Sequence, residues 1–92
     1  MRNTKQISAA EQEFLDRVWY NRKLVMLEKI QLGAEEMPDE SIMDGMTKGM
    51  RDIEAKYGEG NLVYDDFEWG MINGKLSALR WVMGEDWDML DS

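Results

Sequence analysis

The sequence predicts an all-α fold, a three-helix antiparallel arrangement that homo-oligomerisation completes. Apolar residues recur at helical spacing in three stretches, and each stretch starts at a capping or proline signal and ends at glycine. A chain of 92 residues forms one domain and buries only about two-thirds of its unfolded surface, so a second copy is expected to help stabilise it. We expect a single domain over residues 1–92, with helices at about 9–32, 38–57 and 66–83 and an acidic C-terminal tail at 84–92.

The first helix is predicted to follow a capping box at Ser8 and Glu11 and to end before Gly33. Its main apolar stripe consists of Phe14, Leu15, Val18, Trp19, Val25, Met26, Ile30 and Leu32. Arg22 and Lys29 fall in the middle of that stripe. They can extend their methylenes over apolar surface or pair with acids of another helix, or they can form an anion site between helices or subunits.

The second helix is predicted to start at Pro38, with Asp39 and Glu40 at the positive end of its dipole, and to stop at Gly58. A narrow apolar stripe follows one side: Ile42, Met46, Met50, Ile53 and Tyr57, with Met43 alongside. Gly45 and Gly49 lie one turn apart at its edge. Since each glycine costs helix propensity, their spacing favours close packing of another element over a helix that forms only conditionally.

The third helix has the strongest local signal, a capping box of Asp65 and Glu68 with Tyr64 and Trp69 as a hydrophobic staple, and it is predicted to end at Gly84. Its apolar arc holds Phe67, Met71, Ile72, Leu76, Ala78, Leu79 and Val82, and Lys75 projects from the centre of the arc. A shallow track is predicted on the opposite side, made of Gly70, Gly74, Ser77 and Trp81 with Asn73 and Arg80 on its flank. Such a track accepts a close-packed helix or the flat face of a ligand.

The acidic tail contains Met83, Trp87 and Leu90 at helical spacing. This spacing predicts a terminal turn that docks on the helices. The alternative is an acidic and aromatic peptide that inserts into a partner or a neighbouring subunit.

Composition excludes several classes of function. The chain has no cysteine and no histidine, which removes thiolate sites, disulfides, the commonest general base and the commonest metal ligand. A net charge of −8 argues against direct binding to nucleic acid or to an anionic membrane. No stretch resembles a signal peptide or a membrane span, so we expect a cytoplasmic protein.

Carboxylates do not form a convincing catalytic or metal site in the sequence. Asp65, Asp66 and Glu68 are explained by helix capping, and the acids between residues 35 and 40 straddle a connection between helices, where solvation explains them. We therefore predict no catalytic residue, no metal and no cofactor.

Binding of a phosphate-bearing small molecule is the chemistry that the residues allow. The cations that could hold the phosphate are Arg22, Lys29, Lys75 and Arg80, with Asn73 beside them. The aromatic side chains that could stack on a base are Trp19, Tyr20 and Trp81.

Two strings of the chain, "EFLDRVWYNRKL" and "YDDFEWGMINGKLSALRWVMGEDWDMLDS", resemble a family of short proteins of bacterial, prophage and phage genomes. The resemblance covers residues 13–24 and 64–92 and carries no functional residues with it. It implies a phage context, in which small acidic accessory proteins often inhibit a host enzyme or sequester a nucleotide signal of host immunity.

We therefore expect a non-catalytic binding protein, a phage counter-defence factor that sequesters a small anionic, nucleotide-type signal in the bacterial cytoplasm. One alternative is an acidic inhibitor that docks on a basic site of a host enzyme, through the acids near Glu54 or through residues 85–92. The other is a structural assembly subunit.

Overall fold

The computed structural model describes residues 1–87, and it confirms the all-α class and the three predicted helices. The helices are α1 at Thr4–Gln31, α2 at Glu40–Tyr57 and α3 at Asp66–Val82, and a short 3-10 helix lies at Glu59–Asn61. The predicted docking of Leu90 concerns a part of the tail outside the described residues.

Helix α1 begins earlier than the sequence prediction, and its capping box is a different one. Asn3 Oδ1 accepts a hydrogen bond from the Gln6 backbone N–H at 2.9 Å, and Gln6 Oε1 accepts one from the Asn3 backbone N–H at 3.0 Å. Ser8 therefore lies inside the helix, and the predicted start at residue 9 was wrong. Asparagine caps as well as serine does, and no glycine or proline lies between the two sites, so the helix extends to the first cap.

Helices α1 and α3 end as predicted, at Gly33 and Gly84. Both glycines have positive φ, at 77° and 106°, which side chains with a Cβ rarely adopt. In each case the amide of the next residue donates to a carbonyl five residues back: Ala34 to Lys29 at 2.8 Å, and Glu85 to Arg80 at 3.0 Å. This Schellman arrangement satisfies carbonyls that the helix end would otherwise leave unpaired.

The starts of α2 and α3 are fixed by aspartates. Asp39 accepts a hydrogen bond from the Ile42 backbone N–H at 3.0 Å, so Pro38 lies before the cap rather than within the first turn. The predicted capping box of α3 is confirmed: Asp65 accepts from the Glu68 backbone N–H at 2.8 Å, and Glu68 accepts from the Asp65 backbone N–H at 3.1 Å. These bonds explain the position of both acids at the helix terminus.

The chain divides into two compact units. The central unit is Trp19–Val63, and the terminal unit combines Met1–Val18 with residues 64–87. Helix α1 contributes its first part to the terminal unit and its second part to the central unit.

The core of the central unit joins the second part of α1 to α2 and to the segment after α2. Its buried members are Tyr20, Met46, Met50, Ile53 and Leu62, with Trp19, Leu24, Met26, Leu27, Met43 and Tyr57 packed around them. The predicted stripe of α2 is confirmed except at Ile42, which is exposed. Leu62 belongs to no α-helix and was not predicted to be buried.

The single apolar stripe predicted along α1 was wrong. Leu15, Val25 and Leu32 are exposed, and so are the two cations placed within the stripe, Arg22 and Lys29. The two parts of α1 pack in different units, so a pattern taken over the whole helix averages two sets of contacts.

The two glycines of α2 have different surroundings. A Cβ on Gly49 would lie 3.0 Å from Trp19 Cη2, whereas a Cβ on Gly45 would meet nothing within 4 Å. Close packing is therefore found at Gly49, where a side chain rather than a helix backbone approaches.

We expect Gly45→Ala to stabilise the chain by about 0.5–1 kcal/mol, because alanine restricts the unfolded chain and nothing in the described residues obstructs its methyl group. Gly49→Ala should be less stable than Gly45→Ala by about 1 kcal/mol or more, because Trp19 must move. Urea unfolding of both variants measures the difference. Equal stabilisation would show that the Trp19 side chain moves away from the new methyl group without loss of free energy.

Candidate functional site

The terminal unit is built on a small core between the first part of α1 and α3. Val18, Ile72 and Leu76 are buried, and Phe14, Tyr64 and Trp69 pack against them. The two predicted staple residues thus both lie on this core. This core holds the first part of α1 and α3 together.

Arg17 links the two elements of this unit. Its guanidinium donates to Tyr64 Oη and to Glu13 Oε2, each at 3.0 Å. Burial by itself lowers the pKa of Arg17, but the hydrogen bonds to Tyr64 and Glu13 raise the pKa overall, so the side chain stays charged. We assign Arg17 to the structure of the unit rather than to ligand binding.

An open groove of about 320 Å³ lies between α1 and α3 in the terminal unit. Its apolar wall consists of Ile7, Ala10, Phe14, Ala78 and Leu79, and its polar groups come from Arg2, Gln6 and Lys75. Apolar side chains with a few convergent polar groups are the usual composition of a small-molecule site.

Lys75 is the best placed cation at this groove. Its ammonium nitrogen lies 5.6 Å from the centre of the Phe14 ring, which is within the range of a cation–π interaction. The described part of the chain places no carboxylate within ion-pair distance of Lys75 or of Arg2. Both side chains are exposed, so both can meet an anion from solution.

A second, smaller hollow of about 190 Å³ is also lined by Lys75. Tyr64, Glu68, Met71 and Ile72 line it together with Lys75. Lys75 therefore borders both hollows, and a ligand that spans them would pass the ammonium group. The sequence pattern singled out this lysine as the unusual residue of α3, and the structure places it at the border of both hollows. Its side chain is exposed rather than embedded.

The predicted ligand-binding residues fall into two sets of four. Asn73, Lys75, Arg80 and Trp81 belong to the terminal unit. Asn73 donates to the Trp69 carbonyl at 2.9 Å, and Arg80 lies 3.8 Å from the Glu85 carboxylate. Trp81 stacks on Trp87 with ring centres 5.1 Å apart. Of this set, only Lys75 lines either hollow.

The other set, Trp19, Tyr20, Arg22 and Lys29, belongs to the central unit. Tyr20 is buried and donates a hydrogen bond to Glu54, so its ring is not exposed for stacking. Trp19 packs beside Gly49 and carries the ammonium of Lys23 at 5.7 Å from its ring centre. Arg22 and Lys29 are exposed and line none of the hollows described for either unit.

Sequence reasoning missed the α1 side of the groove. Arg2, Gln6 and Ile7 were left out because the helix was predicted to start at residue 9. The signal was present in the pattern Asn3-x-x-Gln6, which is a capping box of the same kind as Ser8-x-x-Glu11. With that start, residues 7, 10 and 14 follow one another along one side of the helix.

The inhibitor hypothesis requires an acidic surface on α2 or the tail, but the described surface of α2 carries charges of both signs. Glu54 accepts the hydrogen bond of Tyr20 at 2.5 Å. A hollow of about 400 Å³ on α2 is lined by two acids, Asp44 and Asp52, by two bases, Lys48 and Arg51, and by Thr47. Opposite charges interspersed in this way do not produce the single-sign potential that steers a basic partner.

Within residues 1–87, no group of three acidic side chains is placed to hold a metal ion. None of the helices found there combines the length and the apolar character needed to cross a bilayer. Comparison of the chain with protein-family models, with curated proteins and with solved structures gives no match.

Proposed function

We propose that this chain is a non-catalytic binding protein that holds a small anionic ligand in the groove between α1 and α3. The observation that supports the proposal best is the position of Lys75, an exposed ammonium group without a carboxylate partner in residues 1–87, at the border of two largely apolar hollows. An amphipathic anion satisfies both the cation and the apolar wall.

A nucleotide has the required chemistry. Its phosphate can accept hydrogen bonds from Lys75 and Arg2, while its base covers the apolar wall around Ile7 and Phe14. The volume of about 320 Å³ lies at the lower end of the range for small-molecule sites, which favours a ligand of nucleotide size or smaller.

The resemblance to short phage and prophage proteins gives the proposal its biological context. A compact protein that binds a nucleotide signal without cleaving it would lower the concentration of that signal in an infected cell. We propose this counter-defence role for the chain. The absence of cysteine and histidine supports binding rather than turnover, since it removes thiol nucleophiles and the commonest general base.

Lys75→Gln is expected to weaken binding of the ligand by about 10-fold to 100-fold, because a hydrogen bond to a charged group contributes about 1.5–3 kcal/mol. The ligand is first sought by native mass spectrometry of the purified protein, and then measured by calorimetry with a nucleoside monophosphate, a nucleoside triphosphate and pyrophosphate as probes. Lys29→Gln is the matched control, since Lys29 is an exposed lysine of the central unit.

Three outcomes separate the possibilities. Loss of binding in Lys75→Gln with normal binding in Lys29→Gln supports the groove. An equal loss in both variants would contradict the assignment of the site to the terminal unit. If the wild-type protein carries no ligand and binds none of the three probes, the small-anion function is contradicted and a protein partner becomes the better hypothesis.

A further inference from the structure

One face of α3 is exposed and carries no charge along its whole length. It consists of Phe67, Gly70, Met71, Gly74, Ala78, Trp81 and Val82, and we call it the exposed face of α3. Phe67 is 75% exposed, Val82 54%, Trp81 50% and Met71 45%. On a chain with a net charge of −8, an uncharged apolar face of this length is the feature that most requires a partner.

This face corrects two sequence predictions. The predicted apolar arc placed Phe67, Met71 and Val82 towards a core, and the glycine track was placed on the opposite side. The structure buries Ile72 and Leu76 instead, and it leaves the glycines beside the exposed apolar residues. A Cβ on Gly70 or Gly74 would meet nothing within 4 Å, so the described residues place no element against them.

The order of residues on this face is self-complementary. Phe67 and Trp81 lie seven residues before and after Gly74, and Gly70 and Ala78 lie four residues before and after it. In an antiparallel pair of identical helices that cross at Gly74, Phe67 of one copy therefore opposes Trp81 of the other. Gly70 likewise opposes Ala78, and the two Gly74 residues face each other. A two-fold axis requires this kind of matching of a surface with itself.

We propose that the exposed face of α3 binds the same face of a second copy of this chain, with the two helices antiparallel and Gly74 at their crossing point. The absence of charge on the face lets two acidic chains meet without bringing like charges together. Glycine at the crossing point lets the helix backbones approach closely, and the aromatic pairs supply contact area at both ends.

The available area is sufficient for such a pair. From the exposed fractions of its side chains, the face offers roughly 500 Å² per copy, or about 1,000 Å² for two copies, which is the lower bound for a specific interface. Lys75 follows Gly74 and therefore lies about 100° around the helix from it. The face shares Ala78 with the groove and Met71 with the smaller hollow, so the proposed interface borders the ligand site without including Lys75.

The mass of the full chain in solution tests the proposal. Sedimentation equilibrium from about 1 µM to about 1 mM should give twice the 10.8 kDa of one chain at the higher concentrations. Phe67→Glu should weaken the dimer at least tenfold, whereas Val63→Glu, at a position that is exposed to the same degree, should leave the dimer unchanged. Gly74→Leu should also abolish the dimer.

Gly74→Leu keeps the test independent of unfolding. Leucine has a higher helix propensity than glycine, and the described residues leave space for its Cβ, so the variant should unfold at a higher urea concentration than a wild-type monomer would. Loss of the dimer in a well-folded variant then assigns the contact to this face. Wild-type protein that remains monomeric at all concentrations, or a dimer that tolerates both Phe67→Glu and Gly74→Leu, would overturn the proposal.

Engineered disulfides test the antiparallel register, because the chain contains no cysteine. Gly74→Cys should form a disulfide between two copies under mild oxidation, since residue 74 lies on the proposed axis. Gly70→Cys alone should not form one, while Gly70→Cys combined with Ala78→Cys should form two. Efficient bridging through Gly70→Cys alone would contradict this register and indicate a crossing at residue 70.

Discussion

Replacement of Leu62 by alanine is expected to lower the free energy of unfolding by about 2–5 kcal/mol. Leu62 is the only side chain that is completely buried among the described residues, and it lies in the core of the central unit with Tyr20, Met50 and Ile53. Removal of its isobutyl group loses the favourable free energy of transferring that group out of water, and it leaves a cavity. A protein domain has roughly 5–15 kcal/mol of stability in total, so this loss is a large fraction of it.

Val63→Ala is the matched control for this prediction. Val63 is the next residue along the chain but is 74% exposed, so its truncation should change the free energy of unfolding by less than about 0.5 kcal/mol. Urea unfolding followed by tryptophan fluorescence measures both variants. A Leu62→Ala variant that unfolds at the same urea concentration as Val63→Ala would show that the segment after α2 does not belong to the folded core.

The importance of Leu62 could not be read from the sequence, because no helical period includes it. Two amides hold the segment in place: Asn61 Nδ2 donates to the Tyr57 carbonyl at 2.9 Å, and Asn21 Nδ2 donates to the Leu62 carbonyl at 3.3 Å. The second bond joins residues that are 41 positions apart. Such a contact follows from the packing of the central unit, whereas the stripe of α2 and the capping box of α3 depend on neighbours within four residues and were predicted correctly.

In the candidate site, too, features local to one helix were easier to predict than contacts between helices. Lys75 was singled out as a cation among apolar residues of α3, because that pattern is local to one helix. The structure exposes its side chain rather than embedding it, and its role in ligand binding stays a prediction. Its partners on α1 depended on where that helix begins, and two competing caps made the start ambiguous. Arg22 and Lys29 were included because one apolar stripe was assumed for the whole of α1, which in fact serves two units.

The stability of the central unit is expected to fall as the pH rises from 10 to 12 because of Tyr20. Burial, the hydrogen bond to Glu54 and the negative charges of Glu54 and Glu59 raise the pKa of the Tyr20 hydroxyl from 10.0 to about 12. Below pH 10 the hydroxyl is protonated in both the folded and the unfolded chain, and its contribution to stability is fully present. Between pH 10 and 12 the unfolded chain loses the proton first, so the free energy of unfolding falls.

Tyr20→Phe isolates this effect from the titration of other groups. Below pH 10 the wild-type protein should be more stable than Tyr20→Phe by about 1–2 kcal/mol, because the variant lacks the hydrogen bond to the Glu54 carboxylate. That advantage should disappear by about pH 12, since phenylalanine does not ionise and the tyrosine anion would face Glu54. In Glu54→Gln, which retains an acceptor without its charge, the fall should be complete at a lower pH. Urea unfolding at intervals between pH 8 and 12 measures the stability of all three proteins. A group whose pKa differs between the folded and unfolded states must make stability depend on pH. A difference in stability between wild type and Tyr20→Phe that stays constant across this range would therefore refute the raised pKa of Tyr20.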